Sequence, residues 1–199
     1  MEFVFTGAVI AVIDDENIIS NDVGAGDRVT GRFFFDTDDL PSDSNADPEA
    51  GAFFRSPSYI DSVISVEASG TETQNFELNA DRSNILQESN SGSERFYILE
   101  QFCCTDDFFQ DITIRDNLGP IRDIVGDPNA ISPFVYNFEA GDNSSGQIWR
   151  NVGFNGTRSF INFTISSAEL RFVTTPEPAA MGLLGLGLTG LLLARRRRG

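Results

Sequence analysis

Residues 27–38 read DRVTGRFFFDTD and carry the clearest secondary-structure signal in the chain. Val29, Gly31, Phe33 and Phe35 fall on one face of an extended chain, because successive side chains of a β-strand point to opposite sides. Aspartates bound the stretch on both sides, as is typical of a strand that begins and ends in turns. The pattern therefore predicts a strand with one buried face.

Similar alternation recurs along the chain, where eighteen phenylalanines are spread among short segments separated by turn-forming residues. The segments are EFVFTGAVIAVID (2–14), YIDSVISVEAS (59–69), RFYILEQF (95–102), DFFQDITIRD (107–116) and SFINFTISSAELRFV (159–173). Helical periodicity is absent from the sequence before the C-terminal tail. Many short strands of this kind predict an all-β fold, namely an antiparallel β-sandwich or jelly roll. Two turn-rich stretches, 35–51 and 117–146, are predicted to be loops that link strands.

Net charge excludes one class of partner. The chain of 199 residues carries a formal charge of −16, and all fourteen of its basic residues are arginine. Four of these arginines end the chain, so the part before Pro176 has ten Arg against twenty-nine Asp and Glu, a net charge of −19. Such a surface repels phosphate backbones, and no nucleic acid partner is expected.

Histidine is absent, which removes the common catalytic triads and His-ligated metal sites and favours a body that is not an enzyme. The two cysteines, Cys103 and Cys104, are adjacent, which rules out an ordinary disulfide bond that would join distant parts of the chain. Buried thiols and a vicinal or intermolecular disulfide both remain open at this point.

An acidic stretch between residues 36 and 49 is the strongest local candidate for a binding site. Asp43, Asn45 and Asp47 have the spacing of an EF-hand loop, but Pro48 and Phe54 stand where that loop needs Gly and Glu. The stretch is therefore either a solvated acidic loop or a looser Ca²⁺ site, since calcium needs only converging oxygen atoms. The residues of that calcium hypothesis are Asp36, Asp38, Asp43 and Asp47.

Glycan binding is a second hypothesis for the body. Carbohydrate-binding surfaces use exposed aromatic rings, and the candidates here are Trp149, Tyr59, Tyr97 and Tyr136. The many phenylalanines are better explained as core. Since no carboxylate pair stands out from the acidic background, catalysis on sugars is disfavoured.

Residues 179–194 form an apolar run of sixteen residues in which only Thr189 is polar. As a helix the run would span about 24 Å, short of the roughly 30 Å of a bilayer core but usable because terminal arginines can snorkel. The sequence therefore predicts a single transmembrane helix. Arg195 to Arg198 follow it and Glu177 precedes it, so the positive-inside rule places the C-terminus in the cytoplasm and the body outside.

Export of the body requires a signal peptide, and the first residues do not read as one. Glu2 stands where a basic residue is expected, and the apolar residues after it alternate like a strand. We therefore expect that the natural chain has a signal segment ahead of Met1.

The order of Pro176, Glu177 and Pro178, then a short Gly- and Leu-rich span, then Arg195 to Arg198, closely resembles the PEP-CTERM protein-sorting domain. The resemblance covers about the last 24 residues. It implies export in a Gram-negative bacterium that makes exopolysaccharide, and cleavage at the motif by an exosortase, a membrane-embedded enzyme. The protein would pass through an inner-membrane intermediate to the cell surface or extracellular matrix.

The body is also similar to a loosely defined group of PEP-CTERM β-sandwich proteins. The matching stretches are FVFTGAVIAV, GDRVTGRFFFDTD and DPEAGAFF. The resemblance implies two parts, an extracytoplasmic β-sandwich at 1–174 and a sorting signal at 175–199. The main hypothesis is an exosortase substrate with a non-enzymatic body, and the alternative is a Ca²⁺- or glycan-binding module on the same anchor.

Overall fold

The computed structural model describes residues 1–15, 17–36, 41–45, 50–55, 60–68, 73–78, 82–90, 93–102, 107–116, 130–139, 142–152 and 157–173. These residues form eleven β-strands, and no helix lies among them. The strands are β1 (Glu2–Asp14), β2 (Arg28–Phe35), β3 (Ala50–Arg55), β4 (Ile60–Glu67), β5 (Thr73–Leu78), β6 (Arg82–Asn90), β7 (Ser93–Phe102), β8 (Asp107–Asp116), β9 (Phe134–Asn137), β10 (Ser145–Val152) and β11 (Thr157–Arg171). The predicted all-β class is confirmed, and the predicted transmembrane helix lies outside the described residues.

Alternation assigns the two faces of the strands as the sequence indicates. In β2, Val29, Phe33 and Phe35 are fully buried, while Arg28 and Arg32, of the opposite parity, are exposed. Gly31 lies on the buried face, where a Cβ atom would be 1.9 Å from the ring of Phe5. A single buried face on each strand requires a second layer to cover it.

The strands form one continuous antiparallel sheet, and its strand order is β3-β6-β7-β8-β10-β11-β1-β2-β4-β5. The short strand β9 lies off this path and pairs with the C-terminal part of β11, from Ser167 to Leu170. The N-terminal part of β11 pairs with β10 on the same side. Strand β11 therefore pairs with β10 along its first part and with β9 along its last part.

Strand β1 lies beside β11 along its whole length, but it pairs with β2 only as far as Ala8. Two register shifts interrupt its pairing with β11, between Thr6 and Gly7 and between Val9 and Ala11. Bulges of this kind bend a strand and allow it to pass from one layer to another. The long central pair β1 and β11 is thus shared by both halves of the sheet.

The two halves face each other across a phenylalanine-rich core. The ring of Phe96 on β7 lies 5.6 Å from that of Phe3 on β1 and 5.0 Å from that of Phe134 on β9. Polar contacts join the halves as well, because Gln110 on β8 accepts a hydrogen bond from the Ser62 hydroxyl on β4 at 3.3 Å. The sheet therefore encloses its own core, with many buried Phe and Ile side chains.

The loop prediction for residues 117–146 was wrong in part. This stretch contains β9 and the first residues of β10, where Phe134, Tyr136 and Gly146 are buried. Four residues are too few for alternation to stand out beside prolines and turn formers. The loop prediction for 35–51 is confirmed for Asp36 and residues 41–45, which lie between β2 and β3. It is wrong at its two ends, since Phe35 belongs to β2 and residues 50 and 51 belong to β3.

Candidate functional site

Strand β11 ends at Arg171 and leads directly to the predicted sorting segment. The next two side chains are exposed although they are apolar, with 64% of Phe172 and 38% of Val173 accessible to solvent. Pro176, Glu177, Pro178, Arg195, Arg196, Arg197 and Arg198, together with the apolar run 179–194, lie outside the described residues. Within the part that the structure describes, no helix is long and apolar enough to cross a bilayer.

Ion pairs fix the end of β11 to its neighbours. The Glu2 carboxylate lies between Arg171 of β11, at 2.8 Å, and Arg32 of β2, at 2.5 Å. Arg171 also reaches Glu169 at 3.4 Å. The hydrogen bond with Glu2 and the charge of that carboxylate raise the pKa of Arg171 above its usual value. Three adjacent strands are therefore held together at the point where the chain leaves the body.

Asp43, one of the four aspartates proposed for calcium, shapes the turn before β3. Its Oδ1 accepts hydrogen bonds from the backbone N–H groups of Asn45 and Ala52, each at 2.8 Å. These two bonds, the Ala52 bond first, lower the pKa of the carboxyl group.

The other calcium candidates are less informative. Asp36 directly follows β2, whereas Asp38 and Asp47 lie outside the described residues. Among the residues that are described, no group of three or more His, Cys, Asp or Glu side chains could hold a metal ion. The calcium site stays a prediction.

The aromatic candidates for glycan binding are separated by the fold. Trp149 on β10 and Tyr97 on β7 lie on the outward face of the sheet and are half-buried. The guanidinium of Arg95 lies 5.2 Å from the centre of the Tyr97 ring, and burial raises the pKa of that tyrosine to about 12. Tyr136 is buried and donates a hydrogen bond to Asp142 at 3.1 Å, while Tyr59 lies outside the described residues.

Polar groups lie between the two outward aromatic residues. Asp111 on β8 pairs with Gln147 on β10, and the Gln147 amide donates to Asn162 at 2.6 Å. Burial raises the pKa of Asp111 to about 6, which the backbone N–H of Gln147 and the charge of Arg95 oppose. This face combines an indole ring, a phenol ring and amide groups, the mixture of side chains that sugar-binding surfaces use.

Glu100 was not singled out by the sequence analysis. It is 0% exposed, and neither carboxyl oxygen has a hydrogen-bond partner among the described residues. Burial raises its pKa to about 8, with the nearby Ser62 hydroxyl opposing the shift and Asp61 reinforcing it. The sequence contains a signal for its burial, because Glu100 has the same parity as Phe96 and Ile98 in the segment RFYILEQF. Cys103 and Cys104, close behind it, lie outside the described residues.

Comparison with known proteins identifies the C-terminal segment. Residues 174–198 match the family described as the PEP-CTERM protein-sorting motif, and the match begins directly after the last described residue, Val173. No curated protein and no solved structure gives a significant match to the chain. The chain therefore carries a PEP-CTERM protein-sorting domain at residues 174–198, which implies export and an exosortase as the processing partner.

Proposed function

We propose that this protein is a substrate of an exosortase and is destined for the cell surface or extracellular matrix of an exopolysaccharide-producing Gram-negative bacterium. Residues 179–194 hold it in the inner membrane as an intermediate, with Arg195 to Arg198 in the cytoplasm. Cleavage near Pro176-Glu177-Pro178 then releases the β-rich body. In this proposal the body has a structural or binding role and catalyses no reaction.

The observation that carries the proposal is the position of the family match. It covers the C-terminal 174–198 and leaves the described body, with its closed core, entirely to its N-terminal side. A cut in this segment would remove the apolar run and the four arginines without touching a strand of the body. The body would be expected to keep its fold after processing.

The test is co-expression of the full chain, behind a signal peptide, with an exosortase. We expect the intact mass of the mature protein to fall by the mass of the cleaved C-terminal segment. Replacing Pro176, Glu177 and Pro178 by alanine should block the cut. Replacing three exposed residues outside the matched segment, Asn137, Glu139 and Asn143, by alanine is the control and should leave cleavage unchanged. An uncut wild-type chain beside an exosortase that processes another substrate would contradict the proposal.

A second proposal, compatible with the same anchor, is that the body binds a glycan, with or without Ca²⁺. The outward face of β7, β8 and β10 favours it, because Tyr97 and Trp149 flank Asp111 and Gln147 there. The exopolysaccharide of the host would be the natural ligand class.

Trp149 is the only tryptophan in the chain, so its fluorescence reports on this face alone. We expect a soluble neutral glucan to shift the Trp149 emission, and CaCl₂ to raise the melting temperature above that in NaCl of equal ionic strength. Trp149→Phe should weaken retention in glucan-containing gels, whereas Val135→Ala, an exposed position on β9 near the other end of β11, should not. No fluorescence shift, no change in melting temperature and equal retention would contradict the binding proposal.

A further inference from the structure

We infer that the end of the body around Phe172 and Val173 rests on a zwitterionic phospholipid surface while the protein is anchored. The inference depends on the proposed anchoring by residues 179–194. It adds a contact between the body and the membrane, which restricts the orientation of the body relative to the bilayer while the protein is anchored.

Exposed apolar side chains gather at the end of β11. Phe172 and Val173 follow the strand, and Val135 on the neighbouring β9 is 65% exposed. Val135 pairs with Glu169, three residues before Phe172, which corresponds to about 10 Å along the strand. Val135 also forms one wall of a shallow groove between Val4 and Asn137. Single exposed apolar residues are ordinary, so these three are candidates for a contact surface because of their common position beside the segment that leads to the proposed anchor.

Chain length places this end close to the bilayer. Six peptide steps join Val173 to Ala179, the first residue of the apolar run, and they span at most about 20 Å even when fully extended. The headgroup layer occupies roughly 5–7 Å of that distance on each side of the hydrocarbon core. Phe172 therefore lies within a short reach of the lipid surface whenever 179–194 is inserted.

Ion pairs join the end of β11 to its neighbours and leave two arginine side chains exposed there. The Glu2 side chain is only 7% exposed, whereas the side chains of Arg32 and Arg171 on either side of it are 58% and 48% exposed. Arginines beside apolar side chains match the headgroup region, where cations meet phosphate and apolar groups enter the acyl boundary. The partner is thus a surface that carries phosphate groups.

A strongly anionic surface is disfavoured. The acidic stretch that begins at Asp36 follows β2 at the same end, two strands away from Arg171. The body as a whole carries a large negative charge, which is repelled by acidic lipids within a Debye length of about 8–10 Å. Zwitterionic headgroups offer phosphate to the two arginines and ammonium to the aspartates without net repulsion.

The opposite end of the sheet supplies an internal reference. Ile13 on β1 and Trp149 on β10 both pair with Phe160, twelve residues before Phe172 on β11. Twelve residues correspond to about 40 Å of strand, far more than the headgroup layer. Ile13 is exposed like Phe172, so the two positions differ mainly in their place along the strand.

The experiment uses the full chain in phosphatidylcholine–phosphatidylethanolamine vesicles whose acyl chains carry bromine, which quenches nearby tryptophan. Wild type reports Trp149 alone, and F172W, V173W and I13W each add one tryptophan. We expect the added emission of F172W and V173W to be quenched by more than half. The emission of wild type and the added emission of I13W should be unchanged. Replacing part of the zwitterionic lipid by phosphatidylglycerol should reduce the quenching.

Flotation of the same vesicles tests the anchor separately. If the chain does not float, the proposed membrane insertion fails. If the chain floats but F172W and V173W are not quenched, or are quenched no more than I13W, membrane anchoring is supported. In that case the proposed contact of Phe172 and Val173 with the lipid surface is refuted. Quenching that increases with phosphatidylglycerol would overturn the choice of a zwitterionic surface.

Discussion

Glu100 shows at the scale of one residue how burial changes chemistry. Its carboxyl group faces Ser62 and Asp61 from β4 and lies beside Gln110 of β8, and no cation among the described residues offsets the cost of its burial. A buried carboxylate without such compensation is costly, so the pKa is raised and the group keeps its proton to about pH 8. At neutral pH, Glu100 is therefore a neutral acid inside the core.

The pH dependence of stability should reveal this proton. An unfolded Glu releases its proton near pH 4.5, whereas folded Glu100 holds it to about pH 8. The folded chain thus binds more protons between these values, and the free energy of unfolding should fall as pH rises from 4.5 to 8. The expected contribution is a few kcal/mol, with no loss below pH 4.5.

Glu100→Gln removes the titrating group, so its melting temperature should fall less than that of wild type between pH 5 and pH 8. Glu77→Gln, at an exposed position of β5, is the control and should follow wild type. Thermal unfolding at several pH values measures the difference. Parallel curves for wild type and Glu100→Gln would show that Glu100 does not hold the proton.

At the scale of the elements, the bend of β1 depends on Gly7. A Cβ atom on Gly7 would lie 1.9 Å from the backbone carbonyl oxygen of Thr164 on β11, at a register shift between the two strands. A backbone atom cannot move aside as the end of a side chain can. The close approach of β1 and β11 at this point therefore requires glycine.

Gly7→Ala should lower the free energy of unfolding by about 2 kcal/mol or more, since overpacking of this kind forces backbone shifts. Gly24→Ala is the matched control, because nothing lies within 4 Å of a Cβ atom there and its effect should stay within about 0.5 kcal/mol. Chemical denaturation of both variants measures the difference. Equal stability of the two variants would refute the assigned contact.

The sequence predicted the elements unevenly. Alternation identified β2 with its correct buried face and β11 as a strand, because each is long enough for a period of two to be clear. Strand β9 was missed, since its alternation extends over only four residues and its place in the sheet depends on pairing with β11. Glu100 was not predicted, although its parity matches that of buried Phe96 and Ile98, because the surroundings of its carboxyl group depend on strands far apart in the chain.

At the scale of the whole molecule, charge is divided along the chain. The part before Pro176 carries −19, and the tail adds four arginines and one glutamate, which together give the net −16. The topology that we propose has the acidic body outside the membrane, where its charge favours solubility, and the four arginines on the cytoplasmic side. The two charge patterns thus agree with the topology that we propose for the anchored intermediate.

By itself, the sequence determined the all-β class, the buried face of β2 and the sorting segment at 174–198. These features are local. Strand alternation depends on consecutive residues, and so does the order of the Pro-Glu-Pro motif, the apolar run and the arginine cluster. Only the tertiary structure decided that β1 and β11 join both halves of the sheet and that the Glu100 carboxyl lacks a hydrogen-bond partner among the described residues. It also decided that Phe172 follows the ion pairs that Arg32 and Arg171 form with Glu2. Such features depend on contacts between distant segments, whose free energies no local pattern encodes.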